Sequence, residues 1–188
     1  MSPTALLTRP DCAPSKADDI GVALGSMDTP IGQLNMAATS QGLVRIGFGY
    51  MEEMQDMMSE LDELPLTMGQ GDLGWLDDPI AQLREYFEGG RQRFDLTVDW
   101  RLSHGFYRRV LDALMTVDYG TTVSYGELAR MAGSSRAARA VGTAMSTNPI
   151  PLVVPCHRVV RSDGLVGEYG GHPDVKAWLI EHERSNRS

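Results

Sequence analysis

The sequence has few cysteines, no long apolar run and no excess of positive charge. Its two cysteines, Cys12 and Cys156, are too few for a disulfide framework, and we expect both to be free thiols. No apolar stretch of roughly 18 residues is present, and residues 1–19 lack the apolar segment of a secretory signal. The sequence therefore predicts a cytoplasmic protein without a membrane span, and its 42% hydrophobic content is enough for a folded core.

The net charge of −8 argues against a nucleic-acid partner when it is taken over the whole chain, because phosphate binding usually requires a basic excess. The charge is unevenly distributed, however. Residues 1–99 contain 6 Lys and Arg against 17 Asp and Glu, whereas residues 100–188 contain 11 against 8. A mildly basic, arginine-rich second half is consistent with a protein that contacts DNA through one face, and a solvated acidic surface without any partner is the alternative.

The first half predicts a flexible tail, over residues 1–18, and a small α/β domain, over residues 19–99. Three strands are expected near residues 20–27, 33–38 and 43–48, joined by turn signals as an antiparallel meander. Helical spacing and capping signals predict two helices, with the methionines of the first as core fillers, and one further strand near the end of the domain. The expected bounds of these last three elements are residues 51–64, 77–87 and 94–98.

The second half, over residues 104–188, predicts a mainly helical domain. Apolar spacing indicates a first helix over residues 104–117, and Ser124 with Glu127 has the spacing of a capping box that starts the next one. A Gly-Ser-Ser break precedes another helix over residues 136–145, so this pair predicts a helix-turn-helix. By itself the pattern supports DNA binding only weakly, because many such helix pairs never contact DNA.

Cys156 lies in a setting that is typical of a reactive thiol. An apolar run bounded by Pro151 and Pro155 predicts a short buried strand, with Cys156 at its end. His157 follows directly, and a nearby imidazole favours the nucleophilic thiolate. Side chains of consecutive residues in an extended segment point to opposite sides, so contact between this pair requires a turn or a bridging water. A cysteine with only a structural role is the alternative.

The window 148–159, in which residues 155–158 read Pro-Cys-His-Arg, resembles the active-site signature of the O6-alkylguanine-DNA alkyltransferases. These are DNA-repair proteins that transfer an alkyl group from guanine to their own cysteine. The similarity continues in Ser-Tyr at residues 124–125 and in residues 138–142, and it covers most of residues 104–183. Related lesion-binding proteins carry tryptophan in place of the cysteine, whereas this chain keeps Cys156.

The resemblance implies a fold and a set of catalytic residues. The fold would be α/β, with an N-terminal ribonuclease H-like roll and a C-terminal, winged-helix-like domain that contains the helix-turn-helix. Cys156 would accept the alkyl group, His157 would take the thiol proton through a water, and Glu183 would orient the imidazole. Asn148 would support the loop around the thiol, and Tyr125 would donate a hydrogen bond to the guanine ring.

The resemblance also implies residues that contact DNA and line the substrate pocket. Arg139 would occupy the space left by a flipped nucleotide, although a phosphate contact or a solvated helix charge are alternatives. The expected DNA-contacting set is completed by Tyr125, Arg136 and Ala138. The expected pocket residues are Met145, Val159, Tyr169 and Gly170. Glu181 competes with Glu183 for the role of the carboxylate, but on a helix the two side chains point about 200° apart.

We expect double-stranded DNA containing alkylated guanine as the partner, O4-alkylthymine as a further candidate substrate, and no cofactor or metal. The protein is expected to be a monomer, and cooperative binding along DNA is left open. A lesion-binding protein that signals without transfer is the alternative function, and a cysteine hydrolase is a third. The chain departs from the family at Ser146-Thr147, at His172-Pro173 and at Arg184.

Overall fold

A computed structural model describes residues 20–64, 66–68, 74–167 and 169–187 of the chain. The predicted tail over residues 1–18, including Cys12, lies outside these ranges. No helix within them is long and apolar enough to cross a bilayer.

The first half forms a four-stranded sheet. Its strands are β1 (Ile20–Thr29), β2 (Gly32–Thr39), β3 (Gly42–Phe48) and β4 (Leu66–Met68), in the spatial order β3-β2-β1-β4. The predicted antiparallel meander of β1, β2 and β3 is confirmed. The short β4, which pairs parallel with β1, was not predicted, since three residues are too few to show a strand period.

The predicted strand over residues 94–98 is wrong. This segment lies beside β3, but it forms only an isolated bridge between Val98 and Leu43. The Leu43 N–H donates to the Thr97 carbonyl at 3.0 Å, and the Leu43 carbonyl accepts from the Asp99 N–H at 2.9 Å. A 3-10 turn begins directly afterwards, at Trp100, and this ends the pairing after one residue.

Two helices accompany the sheet, α1 (Met51–Asp62) and α2 (Asp77–Phe87), as predicted. The expectation that the methionines of α1 fill the core is only partly correct. Met57 is buried, whereas Met51 and Met54 are exposed. The helix therefore packs on the sheet through one narrow face, which Met57 shares with Leu61.

The second half contains four helices within the described residues: α3 (Gly105–Leu114), α4 (Tyr125–Met131), α5 (Ala138–Ser146) and α6 (Pro173–Ser185). The capping box of α4 is present, because the Ser124 hydroxyl accepts from the Glu127 N–H at 3.2 Å and the Glu127 carboxylate accepts from the Ser124 N–H at 2.7 Å. α5 begins at Ala138, two residues later than predicted. Two short strands, β5 (Val123–Ser124) and β6 (Val159–Val160), pair in parallel.

The two halves share one apolar core. A single cluster of buried side chains includes Leu34 and Ile46 of the sheet, Leu83 of α2, and Leu111 and Leu128 of the helical half. The loop that precedes the cysteine is part of this contact, because the Pro149 carbonyl accepts from the Ile46 N–H at 2.8 Å. The sheet therefore supports the segment that carries Cys156.

Candidate active site

The segment before Cys156 is a tight turn, so the predicted buried strand is wrong. The Val154 N–H donates to the Ile150 carbonyl at 2.9 Å, and Leu152 adopts a positive φ of 74°. Pro151 and Pro155 lack the N–H groups that a continued strand pairing would use, which favours this closed turn. The side chains of the turn are nevertheless buried, as the apolar sequence predicted.

Asn148 holds this turn together and also contacts the thiol. Its side-chain carbonyl accepts from the Ile150 N–H at 3.1 Å, and its amide donates to the Val154 carbonyl at 2.8 Å. The same amide lies 3.1 Å from Cys156 Sγ. Asn148 therefore positions the sulfur and provides a hydrogen-bond donor that stabilises its anionic form.

Cys156 begins a 3-10 turn that ends at Arg158. His157 lies in the middle of this turn, and its side chain is fully buried. His157 Nε2 lies 2.7 Å from Oε1 of Glu183, which is also buried. A carboxylate only accepts hydrogen bonds, so Nε2 carries the proton of the neutral ring and Nδ1 keeps the lone pair. Nδ1 has no hydrogen-bond partner among the described residues. The histidine is therefore held in the tautomer that presents a base.

Glu183 is the centre of a buried hydrogen-bond network that the sequence analysis did not foresee. Arg158 donates to both of its carboxylate oxygens, at 2.9 and 3.0 Å, and also to the Val117 carbonyl. The Tyr86 hydroxyl donates to Oε1 at 3.0 Å, and the Gly120 N–H donates to Oε2 at 2.9 Å. Arg158 belongs to the recognised motif, but Tyr86 comes from α2 and no local pattern marks it.

The network sets the protonation states of the site. Burial alone would raise the pKa of Glu183, but the hydrogen bonds and charges of His157 and Arg158 outweigh it and hold this pKa far below its usual range. Burial lowers the pKa of His157, despite the opposing effect of Glu183. We conclude that the carboxylate is ionised and the imidazole neutral at neutral pH.

Burial raises the pKa of the Cys156 thiol, so the resting residue is mainly protonated at neutral pH. Three groups oppose this shift: hydrogen bonds from Asn148 and Tyr169, and the positive charge of Lys176. Among the described residues no direct hydrogen bond joins Cys156 to His157. A protonated thiol beside a neutral imidazole is the starting state for a reaction in which deprotonation accompanies attack.

Cys156 lies between two cavities. The smaller, of about 80 Å³, reaches toward α4 and α5, and the larger, of about 250 Å³, reaches toward the sheet and α1. Both are lined by Met145, Ser146, Cys156, Tyr169 and Gly170. The smaller cavity is completed by Tyr125, Gly142 and Lys176. The larger one is completed by Arg45, Ile46, Phe48, Asp56, Asn148 and Pro151.

These linings place three of the four expected pocket residues, Met145, Tyr169 and Gly170, beside the thiol. The expectation for Val159 has to be corrected, because this residue is fully buried in β6 and lines neither cavity. It pairs with Val123 of β5 and thereby supports the site from behind. The choice between the two acids of α6 is also clear from burial, since Glu183 is buried and Glu181 is exposed.

The expected DNA-contacting residues lie at the start of α5. Ala138 and Arg139 are exposed in its first turn, and Arg136 is exposed just before it. Tyr125 is half-buried at the start of α4 and lines the smaller cavity. The helix that carries Arg139 in its first turn therefore also lines the smaller cavity, through Gly142.

Two family models match the chain. The "6-O-methylguanine DNA methyltransferase, DNA binding domain" model covers residues 105–185, and the "6-O-methylguanine DNA methyltransferase, ribonuclease-like domain" model covers residues 22–100. The chain belongs to the 6-O-methylguanine DNA methyltransferase family. The resemblance seen in the sequence is thereby confirmed, together with the fold class of a ribonuclease-like half followed by a helical DNA-binding half.

Relatives within this methyltransferase family match over nearly the whole chain. The methylated-DNA–protein-cysteine methyltransferase of Mycobacterium tuberculosis is 39% identical over 160 residues, which cover 85% of this chain and 91% of the relative. The Homo sapiens protein of the same name is 37% identical over 169 residues, covering 84% and 78%.

Solved structures give the same result. The crystal structure of M. tuberculosis O6-methylguanine methyltransferase superposes with a TM-score of 0.73 and 35% identity, covering 89% of this chain and 95% of the other. A structure of the M. tuberculosis protein in complex with DNA also gives a TM-score of 0.73 at 35% identity, over 88% and 94%.

The residues that depart from the methyltransferase family pattern lie partly at the cavities and partly on the surface. Ser146 lines both cavities, and Thr147 and Arg184 are exposed. His172 stacks on Tyr50 with ring centroids 4.3 Å apart and an interplanar angle of 9°. Since Tyr50 precedes α1 and His172 precedes α6, the stack joins the loop of Tyr169 and Gly170 to the first half.

Proposed function

We propose that this protein repairs DNA by transferring the alkyl group of O6-alkylguanine to Cys156. The observation that carries the proposal is the buried His157–Glu183 pair, which directly follows in the chain a thiol that lines two cavities. Family membership and the exposed arginines at the start of α5 support the same reaction.

The transfer is a direct displacement at the alkyl carbon. His157 takes the Cys156 proton through a water, and the sulfur attacks the carbon bonded to O6 of the guanine. A carbon–sulfur bond forms as the carbon–oxygen bond breaks, and its electron pair remains on the guanine oxygen. Glu183 stabilises the imidazolium that results, as the carboxylate of a catalytic triad does.

The leaving guanine requires stabilisation, because negative charge develops on its ring as the bond to oxygen breaks. Tyr125 lines the smaller cavity, where its hydroxyl would donate to the guanine ring. The backbone N–H of Gly170 would donate a hydrogen bond to the O6 atom. Gly170 has a positive φ of 54° and lies in a tight turn at the cavity wall. Met145 and Tyr169 would enclose the base.

The reaction requires that the target nucleotide leaves the double helix, because a sulfur nucleophile has no in-line path to the alkyl carbon of a stacked base. We assign to Arg139 the space that the flipped nucleotide vacates. Its exposure in the first turn of α5 fits an inserted side chain. Arg136 and Ala138 would contact the backbone beside it, so binding would be salt-sensitive and largely independent of sequence.

The thioether product makes the reaction stoichiometric, because no ordinary hydrolysis restores the thiol. We therefore propose a single-turnover protein that acts as a monomer, without a metal or cofactor. O4-alkylthymine is included as a second substrate, since it too presents an alkyl group on an exocyclic oxygen of the base.

The experiment is a titration with duplex DNA that carries one labelled O6-methylguanine. We expect at most one methyl group per chain, located on Cys156 by peptide mass analysis, and no transfer by Cys156→Ser. A Cys156→Ser variant should still bind the lesion duplex. Binding without transfer by the unaltered protein would favour the lesion-binding alternative, and repeated turnover with a free product would favour a hydrolase. The same titration with O4-methylthymine tests the second substrate.

A further inference from the structure

The larger cavity beside Cys156 has walls from both halves of the chain. Pro151 and Tyr169 line it from the second half, and Ile46, Phe48 and Asp56 line it from the sheet and α1. Residues of the sheet and α1 do not line the smaller cavity, where Tyr125 would contact one edge of the guanine. The larger cavity is therefore the space available to the group attached to O6, an assignment that rests on the proposed function.

The volume of this cavity exceeds what a methyl group needs. Its volume of about 250 Å³ is several times the roughly 30 Å³ of one water-sized group, and a methyl group is only one such group. An alkyl group with a ring and a short substituent would reach from the sulfur to the wall formed by the first half.

The charges on that wall are not balanced. Arg45 lines the cavity, but its guanidinium is bound to Glu60 at 2.7 Å and to the carbonyls of Ile46 and Pro149. Asp56 lines the same cavity, is exposed, and forms no ion pair with any residue that the structure describes. With the arginine neutralised by its partner, the carboxylate of Asp56 determines the local charge.

The smaller cavity carries the opposite charge. Lys176, which is buried, lines it and lowers the pKa of the Cys156 thiol through its positive charge. The two cavities thus place a cation on the guanine side of the thiol and an anion at the far end of the other side. An alkyl group with a terminal cation would be repelled from the first and attracted to the second.

We propose that Asp56 selects alkyl groups that end in a cation or a hydrogen-bond donor, so the first half of the chain determines which O6-substituents react fastest. The contact is partly open to solvent, so its effect is that of an exposed ion pair. Such pairs correspond to about two- to five-fold in a rate or binding constant, and salt weakens them. The selection therefore acts on relative rates and is not all-or-none.

Free-base substrates isolate this effect from DNA binding. Three O6-benzylguanines of similar size are suitable, with aminomethyl, hydroxymethyl or carboxyl groups at the para position of the ring. The measurement is the second-order rate constant for alkylation of Cys156, determined by intact-protein mass spectrometry at low and high salt. We expect the rate constant to be highest for the aminomethyl compound, intermediate for the hydroxymethyl compound and lowest for the carboxyl compound. The differences between the three should be smaller at high salt.

The decisive comparison uses Asp56→Asn, with Asp62→Asn as the matched control. Both changes remove one negative charge from α1, but Asp62 does not line the cavity. Asp56→Asn should reduce the ratio of the aminomethyl to the carboxyl rate by about two- to five-fold, while Asp62→Asn should leave this ratio unchanged. Equal ratios in all three proteins would overturn the role of Asp56.

The outcome distinguishes this inference from the proposed function. If no substrate alkylates Cys156, including O6-methylguanine in DNA, the proposed function is wrong. If all substrates react but the order of rates does not depend on Asp56, only the inference fails. A preference that changes equally in both variants would indicate a general effect of net charge and would also refute a specific role for Asp56.

Discussion

Replacing Glu183 by Gln should destabilise the fold as well as slow the chemistry. The carboxylate accepts five hydrogen bonds, from His157, Tyr86, Gly120 and two nitrogens of Arg158. Every one of these groups is a donor. A glutamine replaces one accepting oxygen by an amide nitrogen, which is itself a donor, so at least two of the five bonds are lost in either orientation of the amide.

The magnitude follows from the charge that is left behind. Arg158 is 7% exposed and has no other carboxylate within reach among the described residues. Breaking a buried ion pair by removing one partner costs about 3–5 kcal/mol, which is a large share of a typical total stability of about 5–15 kcal/mol. We therefore expect Glu183→Gln to lower the free energy of unfolding by about 3–5 kcal/mol.

A double variant separates stability from chemistry. Arg158→Met combined with Glu183→Gln removes both charges. The double variant should therefore lose less free energy of unfolding than the sum of the losses in the two single variants, by about 3 kcal/mol or more. Alkyl transfer should remain slow in the double variant, by about a hundred-fold or more, because the His157 cation still lacks its counter-charge. The end point of one alkyl group per chain should not change.

The assays are urea unfolding at pH 7.5 and single-turnover transfer from labelled O6-methylguanine DNA. The reasoning would be refuted if Glu183→Gln lost less than about 1 kcal/mol, the scale of an ordinary hydrogen bond. Acid provides an independent check. The folded-state pKa of Glu183 is depressed, so its stabilisation is present above the unfolded value of roughly 4.3 and decreases as the pH falls below it. The free energy of unfolding of Glu183→Gln should therefore decrease less than that of the unaltered protein as the pH falls.

Three further predictions concern the reaction itself. Arg139→Ala should slow transfer from duplex DNA much more than the reaction with free O6-benzylguanine, because only the duplex requires flipping; equal losses would remove that role. The transfer rate should be nearly constant through neutral pH. It should begin to fall only at a pH more acidic than the ordinary imidazole value of roughly 6.5, because burial lowers the pKa of His157, and it should rise only toward alkaline pH, because burial raises the pKa of Cys156. Tyr50→Ala or His172→Ala should slow free O6-benzylguanine about two- to ten-fold, and Tyr50→Phe, which keeps the stack, should not.

The sequence by itself determined the parts that depend on local patterns. The period-2 strands and the turns between them predicted the antiparallel meander, and Ser124 with Glu127 predicted the start of α4, because both depend on neighbouring residues. The family motif around Cys156 indicated the candidate nucleophile and histidine, and the resemblance in the last helix indicated the candidate carboxylate. The spacing within α6 favoured Glu183 over Glu181, and burial gives the same choice.

The same local patterns failed where side-chain hydrogen bonds and packing decide the conformation. Apolar residues between Pro151 and Pro155 predicted a strand, but burial alone does not distinguish a strand from a buried turn closed by Asn148. Residues 94–98 have a strand-like composition and still pair through a single residue. Val159 lies in a motif that contains the thiol, yet β6 directs it into the core.

Only the tertiary structure decided which residues contact the candidate reactive groups. Tyr86 lies 97 positions before Glu183 in the chain, and Arg158 lies 25 positions before it, yet both donate to the same carboxylate. No sequence period connects such residues, because their contact results from packing α2 and the Cys156 turn against α6. The same holds for the larger cavity, where Asp56 of α1 and Cys156 line one space. The sequence determined which residues are candidates for the reaction, and the fold determined their burial and hydrogen-bond partners, because both depend on long-range contacts.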